Sequence, residues 1–295
     1  MIAEAKPRRS ALYIPASKAR ALEKARTVSA DVLIIDLEDA VAPSEKVAAR
    51  AAMAAAVRDG GFGPREVVVR VNGLDTPWGA ADIVAAAEAG PDAILLPKVD
   101  GPEVVADAAA RMDYHNAPVD TAVWAMIETP RGVLNAAAVA AAPRLACLVM
   151  GTNDLVKDLR AHHTPNRAAV TPSLGLCVVA ARAHGLAVLD GVYNAFRDLD
   201  GLRAECEAAR VMGFDGKTLI HPLQTPVANA VFAPSAADIE EAMAVVEAYE
   251  TAAAQGEGVA VLEGRIIENL HADAARRLLA EAAAIAKMEA TARAA

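Results

Sequence analysis

Short apolar runs alternate with longer amphipathic, alanine-rich stretches eight times along this chain before the pattern changes. The runs are ALYIP, DVLIIDLEDA, EVVVRVNG, DAILLPKVD, AVWAMIE, LACLVMGTND, LAVLDGVYN and GKTLIHP. Nearly continuous apolar character over four to six residues marks strands buried on both faces. The intervening stretches predict helices over residues 17–27 with Ser17 as cap, 43–58, 78–89, 101–112, 129–144, 173–184 and 199–212. Pro43-Ser-Glu opens the second of these and Gly60-Gly61 stops it, Pro130 sits in the first turn of the fifth, and Gly185 caps the sixth. The sixth run is followed by a longer polar connection, VKDLRAHHTPNRAAV.

Eight strand-plus-helix units predict a (β/α)8 TIM barrel over residues 1–233. A doubly wound open sheet shares the local pattern and stays an alternative, although no GxGxxG or Walker loop supports it, and Gly60–Gly63 reads as a turn. From about Pro234 the rhythm changes to a helix (236–254), a Gln255-Gly-Glu-Gly linker, a short strand in VAVLEGRII and a last helix. These residues, 234–295, form a helical extension that a barrel does not need in order to close.

Composition narrows the function classes. The chain is 55% hydrophobic but only 3% aromatic, because alanine supplies much of the apolar count. No apolar run reaches the roughly 18 residues of a membrane span, and the N-terminus lacks a secretory apolar core, so a cytoplasmic protein is expected. A net charge of −9 argues against nucleic-acid binding while leaving room for a local cationic site. The three cysteines, Cys147, Cys177 and Cys206, have neither disulfide nor zinc spacing.

In a barrel, chemistry gathers where the strands end. Asp36, Glu38, Asp39, Glu128, Asp154 and Asp190 fall there, with Arg70, Lys98 and His221. So many carboxylates in one mouth repel each other unless a cation joins them. Glu128 and Asp154, closing successive apolar runs, read as ligands to Mg²⁺, which commonly takes one or two protein carboxylates and keeps several waters. Asp36, Glu38 and Asp39 read as groups that orient coordinated waters.

The motifs DLEDAVAP, VVVRVNGLDTPW, AILLPKV, MIETPRGVLN, MGTNDL, LDGVYN, GFDGKTLIHPLQ and LEGRIIE resemble, in order, those of the citrate lyase β-subunit-like family, which includes malyl-, methylmalyl- and citramalyl-CoA lyases. The likeness runs from about Arg9 to Ala284. It implies a TIM barrel binding Mg²⁺ through Glu128 and Asp154, with Arg70 beside the substrate carboxylate and thioester. It implies that CoA is held partly by LYIPASKARALEKA, where Tyr13 stands at a usual Phe, Lys18 at a frequent Arg, and Lys24 at a common Lys. Asn153 stands beside Asp154, and Ile220 and His221 match a pair lining the acyl-CoA site. The extension becomes a lid serving a neighbouring subunit of a trimer or hexamer, carrying a catalytic acid at Glu268 where relatives often have Asp. The expected activity is Mg²⁺-dependent cleavage or formation of a 3-hydroxyacyl-CoA, giving an acyl-CoA and glyoxylate or pyruvate. A malyl-CoA thioesterase on the same scaffold and a citrate lyase β subunit acting on a carrier-bound thioester are the alternatives.

Overall fold

In the computed structural model, which describes residues 6–294, eight parallel strands pair in chain order and close into a barrel. They are β1 Ser10–Pro15, β2 Val32–Asp36, β3 Glu66–Arg70, β4 Ala93–Leu96, β5 Ala122–Ile127, β6 Leu145–Met150, β7 Ala187–Asp190 and β8 Gly216–Leu219. Closure is made by β1 on β8, with Ser10 opposite Lys217 and Leu12 opposite Leu219. The fold is a (β/α)8 TIM barrel, as the period of the apolar runs requires.

The two-residue period of a strand sorts its side chains. Alternate residues, among them Ala11, Val32, Ile34, Val68, Leu95, Met126 and Val149, fill the barrel interior around fully buried Trp124. Their neighbours, such as Leu33, Ile35, Val69, Ile94 and Leu148, pack outward under the helices. Both faces are therefore dry, which is why the runs are nearly unbroken. At the N-terminal ends of the strands the Arg8 guanidinium lies 5.1 Å over the Trp124 ring and donates to Glu66 at 2.6 and 2.8 Å. Arg9 makes three bonds of 2.9 Å to buried Asp31. That end of the barrel is sealed by ion pairs.

Local departures from the expected elements have local causes. The first helix runs Ala19–Ala25 with Lys18 at its cap position, and Ser17 caps nothing: its hydroxyl is buried with no hydrogen-bond partner. The helix expected over 129–144 is two short ones, Pro130–Leu134 and Ala136–Ala140, broken at Asn135, whose amide donates to the Asp100 carbonyl at 2.6 Å. The polar connection after the sixth run begins as a helix, Thr152–Asp158, so Asp154 lies in a first helical turn.

The chain divides into two compact units, Arg8–Phe232 and a second that takes in the described residues before Arg8 as well as those after Phe232. In the second, a Ser235–Asp238 capping box starts the helix Ala236–Ala254. The single short strand expected in VAVLEGRII is a hairpin, β9 Ala260–Leu262 and β10 Arg265–Ile267. Glu263 and Gly264 take φ of 50° and 77°, the left-handed pair that a tight hairpin turn demands. Ala242, Val245, Ala260, Ile267 and Ala275 form this unit's own small core beneath the helix Asn269–Ala294. No helix among the described residues is long and apolar enough to cross a membrane.

Candidate active site

The C-terminal ends of the strands surround a cavity of about 320 Å³. Glu128 and Asp154 both line it, together with Tyr13, Asp36, Asp39, Arg70, Asn153 and Ile220.

Glu128 follows the last residue of β5 and is nearly buried. Its Oε1 accepts the Lys98 backbone N–H at 2.8 Å. Its Oε2 lies against Gly151, where an added Cβ would come within 2.5 Å of that oxygen. Glycine thus leaves the space that the carboxylate occupies. Burial pushes the Glu128 carboxyl from its usual 4.5 up to about 7, opposed by the Lys98 N–H and reinforced by Glu38. Between those values the folded chain keeps a proton that the unfolded chain releases, so Glu128's contribution to stability falls as pH rises through the window. In metal-free protein the Tm of Glu128→Gln therefore gains on wild type from about pH 5 to pH 7.5, by up to about 3 kcal/mol in stability. Thermal melts in the presence of chelator check this.

Asp154 is half-buried at the start of its helix, where the positive end of the helix dipole favours an anion. The Lys98 ammonium stands 3.6 Å from it.

Arg70, at the end of β3, is buried over the Tyr13 ring at 4.7 Å. Nε and Nη2 each donate to Asp36 at 2.7 Å, and Nη1 is 3.0 Å from Glu38. Two of the guanidinium's five N–H groups are thus hydrogen-bonded, both to Asp36, while Nη1 faces the carboxylates of Glu38 and Asp39. Burial works against the Arg70 charge, but Asp36, Tyr13 and Glu38 hold its pKa well above the ordinary value. Burial likewise raises the Tyr13 phenol and, despite Arg70, the Glu38 carboxyl.

The three acids read as orienting coordinated waters stand in different surroundings. Asp36 accepts from Arg70 and from the backbone N–H groups of Glu38 and Ala40, at 2.9 and 3.1 Å. Both of its oxygens are committed to that turn and to the arginine, which makes it an anchor for Arg70 rather than a group facing coordinated water. Glu38 is shared between Arg70 and the Asp39 N–H. Asp39 alone of the three is exposed, 3.7 Å from Arg70.

Asp190 does not join the other acids. It turns toward fully buried Lys217 at 2.6 Å and Arg167 at 2.5 and 2.9 Å, with Glu205 closing the network at 2.6 Å from Lys217. Burial raises its pKa, but Lys217 and Arg167 outweigh this and hold it below the usual carboxylate range.

The other expected contacts are spread out. Lys18 and Lys24 are exposed on the first helix and its cap position, Lys18 lying 3.9 Å from Glu45. Asn153 and Asn194 exchange amide hydrogen bonds of 2.8 and 3.2 Å at the cavity wall. His221 accepts the Leu223 N–H on Nδ1 and stacks on Phe196 at 4.6 Å, so its ring is held by its own turn. Glu268 is an exposed residue of the second unit, where its carbonyl accepts the His271 N–H.

Two supporting residues escaped the sequence reading. Lys46 is buried and donates to the Leu37 and Glu38 carbonyls and to Asn72, at 2.9, 2.8 and 2.7 Å, pinning the turn that carries Glu38. Its signal was a lysine opening an otherwise apolar helix face. Gly151 had none beyond its place before Thr152.

No cluster of three or more His, Cys, Asp or Glu poised for a metal exists among the described residues. Two carboxylates on one cavity, one of them with its proton affinity raised by burial, suit a hard cation that retains water. They do not suit a closed zinc site.

A sequence model of the HpcH/HpaI aldolase/citrate lyase family matches residues 9–222. The chain is 55% identical over 291 residues to a (3S)-malyl-CoA thioesterase of Cereibacter sphaeroides (strain KD131 / KCTC 12085), covering 99% of this chain and all of that protein. It is 34% identical over 281 residues to citrate lyase subunit beta of Escherichia coli (strain K12), covering 93% of each. Among solved structures, CitE from Mycobacterium tuberculosis in complex with magnesium, acetoacetate and coenzyme A superposes with a TM-score of 0.78 at 30% identity, over 95% of this chain and 99% of that one.

Proposed function

The chain belongs to the HpcH/HpaI aldolase/citrate lyase family, and from that premise we propose that it hydrolyses the thioester of malyl-CoA with Mg²⁺ held by Glu128 and Asp154. The observation that carries this reading is identity of 55%, across 99% of the chain, to a protein named (3S)-malyl-CoA thioesterase. The cavity flanked by Glu128, Asp154 and Arg70 supports it. Carbon–carbon cleavage, the leading expectation from the sequence motifs, becomes the second reading, favoured by the 34% identity to citrate lyase subunit beta.

The ion at Glu128 and Asp154 would supply Lewis-acid polarisation of the substrate oxygens. The remaining work falls to the chain. Arg70, its plane fixed by Asp36 and Tyr13, offers N–H groups not bonded to Asp36 to the oxyanion that forms when water adds to the thioester carbon. Preorganised donors of this kind stabilise charge strongly because nothing must reorganise as it develops. Glu268, delivered from the C-terminal unit of a second copy in a trimer or hexamer, takes the water proton. Collapse of the tetrahedral species expels the CoA thiolate and leaves free malate. In the lyase reading the same arginine steadies the thioester enolate, and Glu268 protonates its carbon. Lys18, Lys24, Asn153, Ile220 and His221 serve CoA and acyl binding in either case.

Incubation with malyl-, methylmalyl- and citramalyl-CoA and Mg²⁺ decides between them. Malate with free CoA is the expected result. Glyoxylate with acetyl-CoA would establish the lyase, and no turnover of any ester would overturn both readings.

A further inference from the structure

Lys98 has an unusual backbone for its residue type. It takes φ of +49°, in the left-handed region that a side chain with a Cβ rarely adopts. The turn makes two successive N–H groups face β5: that of Lys98 donates to Glu128 Oε1 at 2.8 Å, and that of Val99 to the Met126 carbonyl at 3.1 Å. Backbone strain of this kind persists where the surroundings over-determine it, commonly at functional sites. The same residue's ammonium stands 3.6 Å from Asp154, with Glu38, Glu128 and Asp39 as further anions acting on it. At that distance no hydrogen bond locks it, and the side chain is 53% exposed. One residue therefore touches both carboxylates, one through its backbone and one through its charge.

We propose that Lys98 is the site's internal counter-cation: its ammonium neutralises Asp154 in the metal-free protein and gives that carboxylate up when a divalent cation binds. This rests on the assignment of Glu128 and Asp154 as ligands. Two acids and their acidic neighbours facing one cavity repel each other without a cation. Arg70 is occupied with Asp36 and Glu38. Lys98 fills the role, and it competes with any metal for Asp154.

The competition has a sign that mere structural support would not produce. Calorimetric titration of the metal-free full chain with MgCl₂ should show Lys98→Met and Lys98→Gly binding about two- to fivefold tighter than wild type, the range for a partly exposed ion pair. Lys98→Gly keeps the left-handed backbone without strain and so decides the matter even if Lys98→Met fails to fold. Lys98→Arg should match wild type. Unchanged or weaker Mg²⁺ affinity in the folded Met and Gly variants overturns the inference. Glu128→Ala in the same titration separates it from its premise. If Glu128→Ala binds Mg²⁺ like wild type, or wild type binds none, the ligand assignment falls and this inference with it. Loss of binding in Glu128→Ala with unaltered affinity in the Lys98 variants overturns the inference alone.

Discussion

Replacing Glu128 with alanine should abolish the proposed Mg²⁺-dependent turnover of malyl-CoA while CoA binding survives. The loss is at least about a hundredfold, since even outer partners of metal ligands cost 10–100-fold when removed. The fold should tolerate the change. Glu128 is a buried carboxylate whose proton affinity is raised, so its charged form opposes folding instead of supporting it. What remains is the Lys98 N–H without its acceptor, at a cost of about 1–3 kcal/mol. Release of free CoA, followed by thiol titration, measures the first effect, and CoA-affinity chromatography the second. Undiminished turnover would sink the ligand assignment.

Arg70→Met has the larger effect on the whole molecule. Asp36 is fully buried and Glu38 nearly so, and both lose their cation. Removing one partner of a buried pair typically costs about 3–5 kcal/mol, because the other is left charged in a dry place. For a unit of this size that lowers Tm by roughly 6–20 °C. Turnover falls in addition by about 10²–10³-fold, the usual loss when an oxyanion donor is removed. The double variant Asp36→Leu/Arg70→Met separates the two effects. Apolar replacement of a buried pair is often neutral, so Tm should recover in part, Glu38 still lacking its cation, while turnover does not. Recovery of turnover would show that Arg70 acts only as scaffold.

The barrel was legible because each strand is buried on both faces, so the apolar runs carry its period directly. The mouth was legible for a related reason: the residue after an apolar run sits at the strand's end, which placed Glu128 and Arg70 on one rim. Asp190 shows where that rule stops. A strand-end acid can turn inward to the mouth or outward to a helix, and the choice here depends on Lys217, 27 residues away in sequence. The role of Asp36 was hidden in the same way, since its partner is on the next strand. The fifth helix was read as continuous because the tie from the Asn135 side chain to the Asp100 carbonyl, 35 residues away, leaves no local mark at the break. The hairpin of β9 and β10 was missed because only the left-handed pair Glu263–Gly264 marks its turn.

The pairing of β1 with β8 has a consequence for how the protein is made. Ser10 and Lys217, opposed in the finished barrel, are 207 residues apart in the chain. At ribosomal speeds of about 5–20 residues per second, the first strand waits roughly 10–40 s for its last neighbour to be synthesised. Throughout that interval its outer row of amide and carbonyl groups is unpaired, a template on which another nascent chain could add. Yield in a cell-free translation system should therefore respond to added holdase chaperone far more than refolding of the complete, dilute polypeptide does.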